Sequence, residues 1–301
     1  MTMSSLAEFS ESLATLVEES SAGVVAIESG GRWTTSGIHW RPGIIVTAEE
    51  SLARDNDIVL ATPGGGALPA TLAGRDPTTD IAVLRFQPEG MATAKLGEAR
   101  AVRAGQLALV IGRHEEGPIA SLGSIGFVSG AWRSRRGGSI DNYIRLDLTL
   151  SPRAEGGAAI DANGSVIGLA VMGPRRRALA IPRSTIERTV DLLLARGHIP
   201  RGYLGAGLQP VRLVSPAGSA EPERGVLING LDANGPAVRA GLLVGDIITT
   251  WNDTRISRVR EVMHLLGSES IGTSVKLGVL RAGAGHSIDL AIGERPIRGE
   301  S

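Results

Sequence analysis

Asp76-Pro77-Thr78-Thr79-Asp80-Ile81-Ala82-Val83-Leu84 joins a polar turn to an apolar run, and that join sets the pattern of the first two-thirds of the chain. Pro and Asp separate the strand candidates on either side of residues 76–80, which read as a connection between them. The apolar run behind them, with β-branched Ile81 and Val83, reads as a strand over 81–86. The same alternation continues outward in both directions. Candidate strands fall at 24–28, 43–47, 58–61, 68–73, 107–111, 124–132, 143–147, 158–160 and 166–171, separated by Gly, Pro, Asp and Asn. So many short strands at this spacing predict an all-β sandwich or a pair of barrels. A chain with 41 glycines and only 3% aromatic residues fits tight turns between short strands.

Composition removes several function classes. With 301 residues the chain has room for two domains. Having no cysteine, it forms no disulfide, thiolate zinc site or thiol nucleophile. Thirty-one basic and 31 acidic residues leave no excess of positive charge for a general nucleic-acid binder. No apolar run approaches the ~20 residues of a membrane span. Residues 1–21 lack the basic start, apolar block and small-residue cleavage site of a leader, which predicts a cytoplasmic protein, or a periplasmic one if a leader has been removed. Instead Leu6, Phe9, Leu13, Leu16 and Val17 recur at helical spacing, so residues 1–20 read as an amphipathic helical extension.

Past the strands, Ser184 and Glu187 have the spacing of a capping box, Ile186, Val190, Leu193 and Leu194 form one stripe, and Gly197 is placed to end the helix. His198-Ile199-Pro200 reads as a linker. The Arg175–Arg177 run reads as a solvated loop. Beyond the linker, a loop over 213–224 precedes strands at 225–231, 246–251, 274–280 and 286–292. A short helix opened by Pro236 and another over 257–266 complete a small mixed domain.

Val46-Thr47-Ala48, the 76–84 stretch, Glu155-Gly156-Gly157 and Ala180-Ile181-Pro182 occur in an order that resembles the HtrA/DegP family of trypsin-like serine proteases with C-terminal PDZ domains. Ala94-Lys95-Leu96-Gly97, Gly164-Ser165-Val166-Ile167-Gly168 and Arg201-Gly202-Tyr203-Leu204-Gly205 extend the likeness. So do Asn234 to Leu242 and Val244 to Ile248, and the resemblance runs from about residue 6 to 292. It implies a mainly β chain, with a trypsin-like double β-barrel over 21–199 followed by a PDZ domain over 200–296. It implies no cofactor, and assembly into homo-oligomers, trimers by family resemblance, or mixed assembly with an active paralogue.

Departures fall at the catalytic positions. The family's histidine position is Glu50, its aspartate is retained as Asp80, and its serine position is Glu155. Arg153 replaces the glycine of the oxyanion turn, followed by Ala154. Ser151 and Ser165 flank the motif without following that turn, and His39, His114, His198, His264 and His286 are scattered without metal spacing. Acyl transfer by the family route needs a hydroxyl and a base with a pKa near neutrality. The residues therefore predict a catalytically inactive pseudoprotease: a polypeptide-binding, scaffolding or regulatory protein, not an enzyme. The alternatives are a peptidase or other hydrolase using a non-family mechanism, and a structural subunit with a carboxylate metal site. Three carboxylates can be neutralised by Arg153 or another cation, by keeping one protonated, or by Ca²⁺ or Mg²⁺. The block of recognition residues is better kept. Tyr203, Leu204, Gly205 and Ala206 look like a carboxylate-binding loop, across which Val259, Met263 and Leu266 face either core or peptide, for polypeptides or protein C-termini as partners.

Overall fold

The computed structural model describes residues 3–88, 90–96, 102–134, 136–213 and 224–296. The loop expected over 213–224 and Gly97 of the family-like motif lie outside the described residues, apart from that loop's two ends. The chain divides into two compact units, residues 1–199 and 200–301.

In the first unit, helix α1 (Met3–Ser21) precedes strands β1 (Val24–Glu28), β2 (Thr35–Arg41), β3 (Ile44–Thr47), β4 (Ile58–Ala61), β5 (Ala67–Asp76) and β6 (Ile81–Phe86). These close into a barrel in the order β1-β2-β3-β6-β5-β4. A second barrel is built from β7 (Leu107–His114), β8 (Gly117–Ser129), β11 (Tyr143–Asp147), β12 (Ala158–Ile160), β13 (Val166–Gly173) and β14 (Arg177–Pro182), in the order β11-β14-β13-β12-β7-β8. A hairpin of β9 (Trp132–Arg133) and β10 (Ser139–Ile140) projects between β8 and β11, and helix α2 (Arg183–Arg196) closes the unit.

Side chains alternate across each strand, and in this unit both faces are buried. Ile45, Ala82 and Leu84 fill the first barrel, while their neighbours Ile44, Val46, Ile81 and Val83 join a shared core. The second barrel splits in the same way. Ala108, Val110, Ala159, Ala170, Ala178 and Ala180 point inward, and Leu109, Ile111, Leu169, Leu179 and Ile181 enter the shared core, with Ile186, Val190 and Leu193 of α2. Each fully buried Ile, Leu or Val contributes about 1.5–3 kcal/mol. The small interior of the second barrel explains how a chain so poor in aromatic residues fills it.

Several local readings change. β2 was not among the candidate strands because its buried face carries Thr35, Ser36 and His39, which are satisfied by long-range partners. The strand expected over 124–132 starts at Gly117 and stops at Ser129 before the Trp132 hairpin. Pro182, not Ser184, caps α2, and Glu187 pairs with Arg183 at 2.8 Å, so there is no capping box. Gly197 does end α2 in the left-handed conformation (φ 72°), its amide donating to the Leu193 carbonyl. On α1, Leu13, Leu16 and Val17 pack on the shared core, while Leu6 and Phe9 are exposed.

The second unit contains β15 (Gly202–Tyr203), β16 (Ala206–Arg212), β17 (Arg224–Leu231), α3 (Pro236–Arg239), β18 (Ile247–Trp251), β19 (Thr254–Arg255), α4 (Val259–Leu265), β20 (Ser274–Arg281), β21 (Ala284–Ala291) and β22 (Gly293–Glu294). Its main sheet runs β16-β17-β18-β20-β21, with β19 on β18, and β15 pairs with β22. Leu204, Val226, Ile228, Trp251, Val262 and Leu277 sit in its core.

Candidate functional site

The turn at 76–80 is held from within. The buried Asp76 carboxylate accepts from the Thr78 amide (3.0 Å) and from the hydroxyls of Thr78 and Thr79 (both 2.7 Å). That brace delivers Asp80 to the mouth of β6 in the left-handed region, φ 58°. Residues 49–51 form a single 3₁₀ turn after β3, and the Glu50 amide donates to Asp80 Oδ1 at 2.8 Å. Across from them, Pro152–Ala154 form a second 3₁₀ turn leading into Glu155. β2 holds this turn: the Ser36 amide (2.9 Å) and Thr35 hydroxyl (2.6 Å) donate to the Glu155 carbonyl, and the Ser36 hydroxyl (2.6 Å) donates to that of Arg153. Gly156 follows at φ 79°, where a Cβ would collide with the Ser36 carbonyl and the Thr47 hydroxyl.

Glu50, Asp80 and Glu155 therefore meet in the first unit. Burial is the main cause that lifts the Asp80 carboxyl to about 7, aided by the charges of Glu50, Glu155 and Glu49 and opposed by the Glu50 amide. The Glu155 carboxyl is also raised, first by burial, while the Met172 amide (2.9 Å), the Ser51 hydroxyl and Arg176 favour its ionised form. Ser51, next to the histidine position, is a residue that the sequence reading missed: its hydroxyl favours the ionised form of the Glu155 carboxyl.

The cations also differ from expectation. Arg153 does not neutralise the trio: its guanidinium stacks 4.9 Å over the Trp33 ring, and Ala154 beside it is fully buried. Arg136 instead bridges Glu50 (3.1 Å) and Glu49 (3.5 Å), and Arg75 pairs with Glu49 at 3.1 Å. Buried Glu49 is thus enclosed by arginines, and Glu50 is the member that faces the cleft. Among the described residues no group of three or more His, Asp or Glu side chains is placed to hold a metal ion. A cavity of about 430 Å³ opens beside the site, lined in part by Glu50, Asp80, Trp132, Arg136, Met172 and Ile181.

In the second unit, Tyr203 ends β15 and donates from its hydroxyl to Asp232 at 2.7 Å. Leu204 is buried. The Leu204 carbonyl accepts from Ala237 (2.7 Å) and the Gly205 carbonyl from Asp232 (2.8 Å), whereas the amides of Leu204 and Gly205 find no backbone acceptor among the described residues. Gly205 has φ 73°, and a Cβ there would lie 2.7 Å from Gly235 Cα. From Ala206 onward β16 is an edge strand of the sheet, and α4 packs near it. On that helix Val262 is buried, Val259 packs on the core and Leu266 at its end is buried, which leaves Met263 exposed.

A closed pair of six-stranded barrels, followed by a unit built on a six-stranded sheet, defines the class: a trypsin-like peptidase fold joined to a PDZ domain. Residues 35–169 match the trypsin-like peptidase domain and residues 202–292 the PDZ domain. Relatives and solved structures support a particular place, the HtrA/DegP family of trypsin-like serine proteases with PDZ domains. A probable periplasmic serine endoprotease, DegP-like, from Brucella suis biovar 1 is 30% identical over 266 residues, covering 84% of this chain and 51% of its own. One of the same description from Pseudomonas fulva is 30% identical, covering 85% and 54%. The chain thus spans about half the length of the curated relatives it matches. The structure of the HtrA-type protease AlgW with tripeptide superposes with TM-score 0.67 at 26% identity, covering 95% of this chain and 98% of that one. The serine endoprotease from Yersinia pestis, at 24% identity and TM-score 0.70 with 94% and 98% coverage, shares the fold.

These findings overturn two expectations. The relatives are named serine endoproteases, which goes against reading the chain as a non-enzyme. They are also named periplasmic, which goes against a cytoplasmic place. The loss of two catalytic residue types at 50 and 155 had carried the first reading, but residue type at two positions does not exclude other groups in the same cleft. The second rested on the composition of residues 1–21, which says nothing about a segment ahead of them.

Proposed function

We propose that this chain is a periplasmic HtrA-type endopeptidase that recognises polypeptide C-termini through its PDZ groove and hydrolyses peptide bonds in its inter-barrel cleft by carboxyl-assisted chemistry. The observation that carries the proposal is the cleft itself. Asp80 and Glu155, both raised by burial, are near enough for their charges to interact, and Asp80 lines with Glu50 a cavity of about 430 Å³. A carboxyl that titrates near neutrality can take up and return a proton at working pH, which an ordinary surface carboxylate cannot. The endoprotease names of the relatives support the same class and the same compartment.

Tyr203, Leu204, Gly205 and Ala206 would hold the ligand's terminal carboxylate on backbone amides while the peptide adds a strand along β16, with exposed Met263 across the groove contacting its side chains. Exposed Leu6 and Phe9 support self-association through α1, as the family resemblance implies. The test is incubation of the purified full chain with unfolded casein, with mass-spectrometric reading of new termini. Alongside it, anisotropy is measured with peptides ending in a free carboxylate or an amide. New internal termini and preference for the carboxylate are expected. Carboxylate-dependent binding without new termini would leave a binding protein and refute the endopeptidase.

A further inference from the structure

We propose that the cavity between the ends of β11 and β14 is a second binding site, which takes an acidic side chain of a polypeptide on the guanidinium groups of Arg176 and Arg177. It goes beyond the endopeptidase reading and does not depend on it. The two strands pair only at Ile144–Ala180 and Arg145–Leu179. Past that point a cavity of about 360 Å³ opens, lined in part by Arg145, Asp147, Arg176 and Arg177. Three arginines thus line it against one aspartate. Arg145 uses that carboxylate: its Nε donates to Asp147 Oδ1 at 3.0 Å and its Nη2 to Oδ2 at 3.3 Å. Its Nη2 also donates to the Gly126 carbonyl (3.3 Å), and its guanidinium lies 6.0 Å from the Phe127 ring. Arg176 and Arg177 are exposed and form no ion pair among the described residues. The cavity therefore keeps two positive charges for a ligand.

The turn that presents these charges is strained. Arg175 and Arg176 are both left-handed, at φ 59° and 56°, in the tight connection between β13 and β14. A Cβ disfavours that conformation, which Asn and Gly adopt more readily, and such strain gathers at binding sites. The same hairpin end joins this cavity to the cleft. Met172 and Gly173 line the cleft cavity, and Gly173 pairs with Arg177, which lines this one. The Arg176 charge also reaches Glu155, where it favours the ionised carboxyl. A polypeptide crossing that hairpin end meets both cavities, because alternate side chains of an extended strand lie about 7 Å apart on one face. Guanidinium groups bond a carboxylate in a forked, charge-assisted geometry. A nucleic-acid strand fits less well. Its repeating phosphates would pass Asp147 and, in the adjoining cleft, Glu50 and Asp80, whereas a peptide brings one carboxylate at a time.

The test is anisotropy of the full chain with short labelled peptides carrying either Glu or Gln at their central positions. Both are acetylated and amidated, so they offer no terminal carboxylate to the PDZ domain. The Glu peptide is expected to bind about tenfold or more tightly than the Gln peptide, and the difference should shrink with added salt. A variant carrying Arg176→Asn and Arg177→Gln should lose the preference. Asn suits the left-handed position, so that loss does not come from a broken turn. Arg176→Glu with Arg177→Glu should turn the preference towards a Lys peptide. Arg54→Gln with Arg103→Gln, which removes two exposed charges elsewhere in the first unit, should keep the preference for Glu. Equal binding of the Glu and Gln peptides overturns the proposal, as does a preference that survives in the Arg176 and Arg177 variants or is lost equally in the Arg54 and Arg103 variant. Full displacement of the Glu peptide by inorganic phosphate at constant ionic strength would make this a phosphate site and overturn it too. None of these outcomes needs cleavage, so casein digestion judges the endopeptidase reading separately.

Discussion

Asp76 braces the turn on which the candidate site rests. It satisfies one amide and two hydroxyls in a buried turn, and those bonds place Asp80. Asp76→Ala should lower stability in urea unfolding by about 2–4 kcal/mol, since it strands several buried donors at once. Asp80 acts in the opposite sense. Its folded pKa of about 7 lies above its unfolded value, so the folded state holds the extra proton between the two. Stability from this group is fully present below the unfolded pKa, falls as pH rises, and is gone above about 7. Asp80→Asn, which keeps an acceptor for the Glu50 amide, should therefore stabilise the chain by about 1–3 kcal/mol at pH 8. The gain should vanish below pH 4, as thermal melts at the two pH values would show. Glu50, Asp80 and Glu155 were legible in the sequence because family-like motifs fix their places. Arg136 was not, because its role depends on Glu50, 86 positions away, which only folding brings near.

Among the elements, strands with an apolar run on both faces were readable, as 24–28, 58–61, 81–86 and 158–160 show, and so was 143–147, where buried Ile144 and Leu146 alternate with polar neighbours. β2 was hidden because its polar residues are paid for by contacts with residues 153–155, and the false capping box of α2 arose because Glu187 answers to Arg183. The loop between β15 and β16 belongs to this scale. Gly205 combines a left-handed backbone with close approach to Gly235, so any side chain both strains the turn and pushes the loop away from the start of α3. Gly205→Ala should weaken binding of a free-carboxylate peptide at least about tenfold in anisotropy. Met263→Ala should change which peptide side chain is preferred without loss of the carboxylate requirement, because the helix core rests on Val262.

For the whole molecule, two units with separate cores follow from the chain's break in pattern near Pro200. Residues 200–296 should fold alone, giving a cooperative melt and dispersed amide resonances; a molten spectrum would show that their core is insufficient. The fold class was legible from turn-rich β patterning and family-like motifs. The proposed activity was not, since it depends on how burial and neighbouring charge alter ordinary carboxyl groups. The central claim is peptide-bond hydrolysis that depends on Glu155. It is tested most directly by counting new casein termini produced at pH 6 by the full chain and by Glu155→Gln, purified in parallel. New termini from the first, reduced about a hundredfold or more in the second, are predicted. Equal yields from both, or none from either, would contradict it.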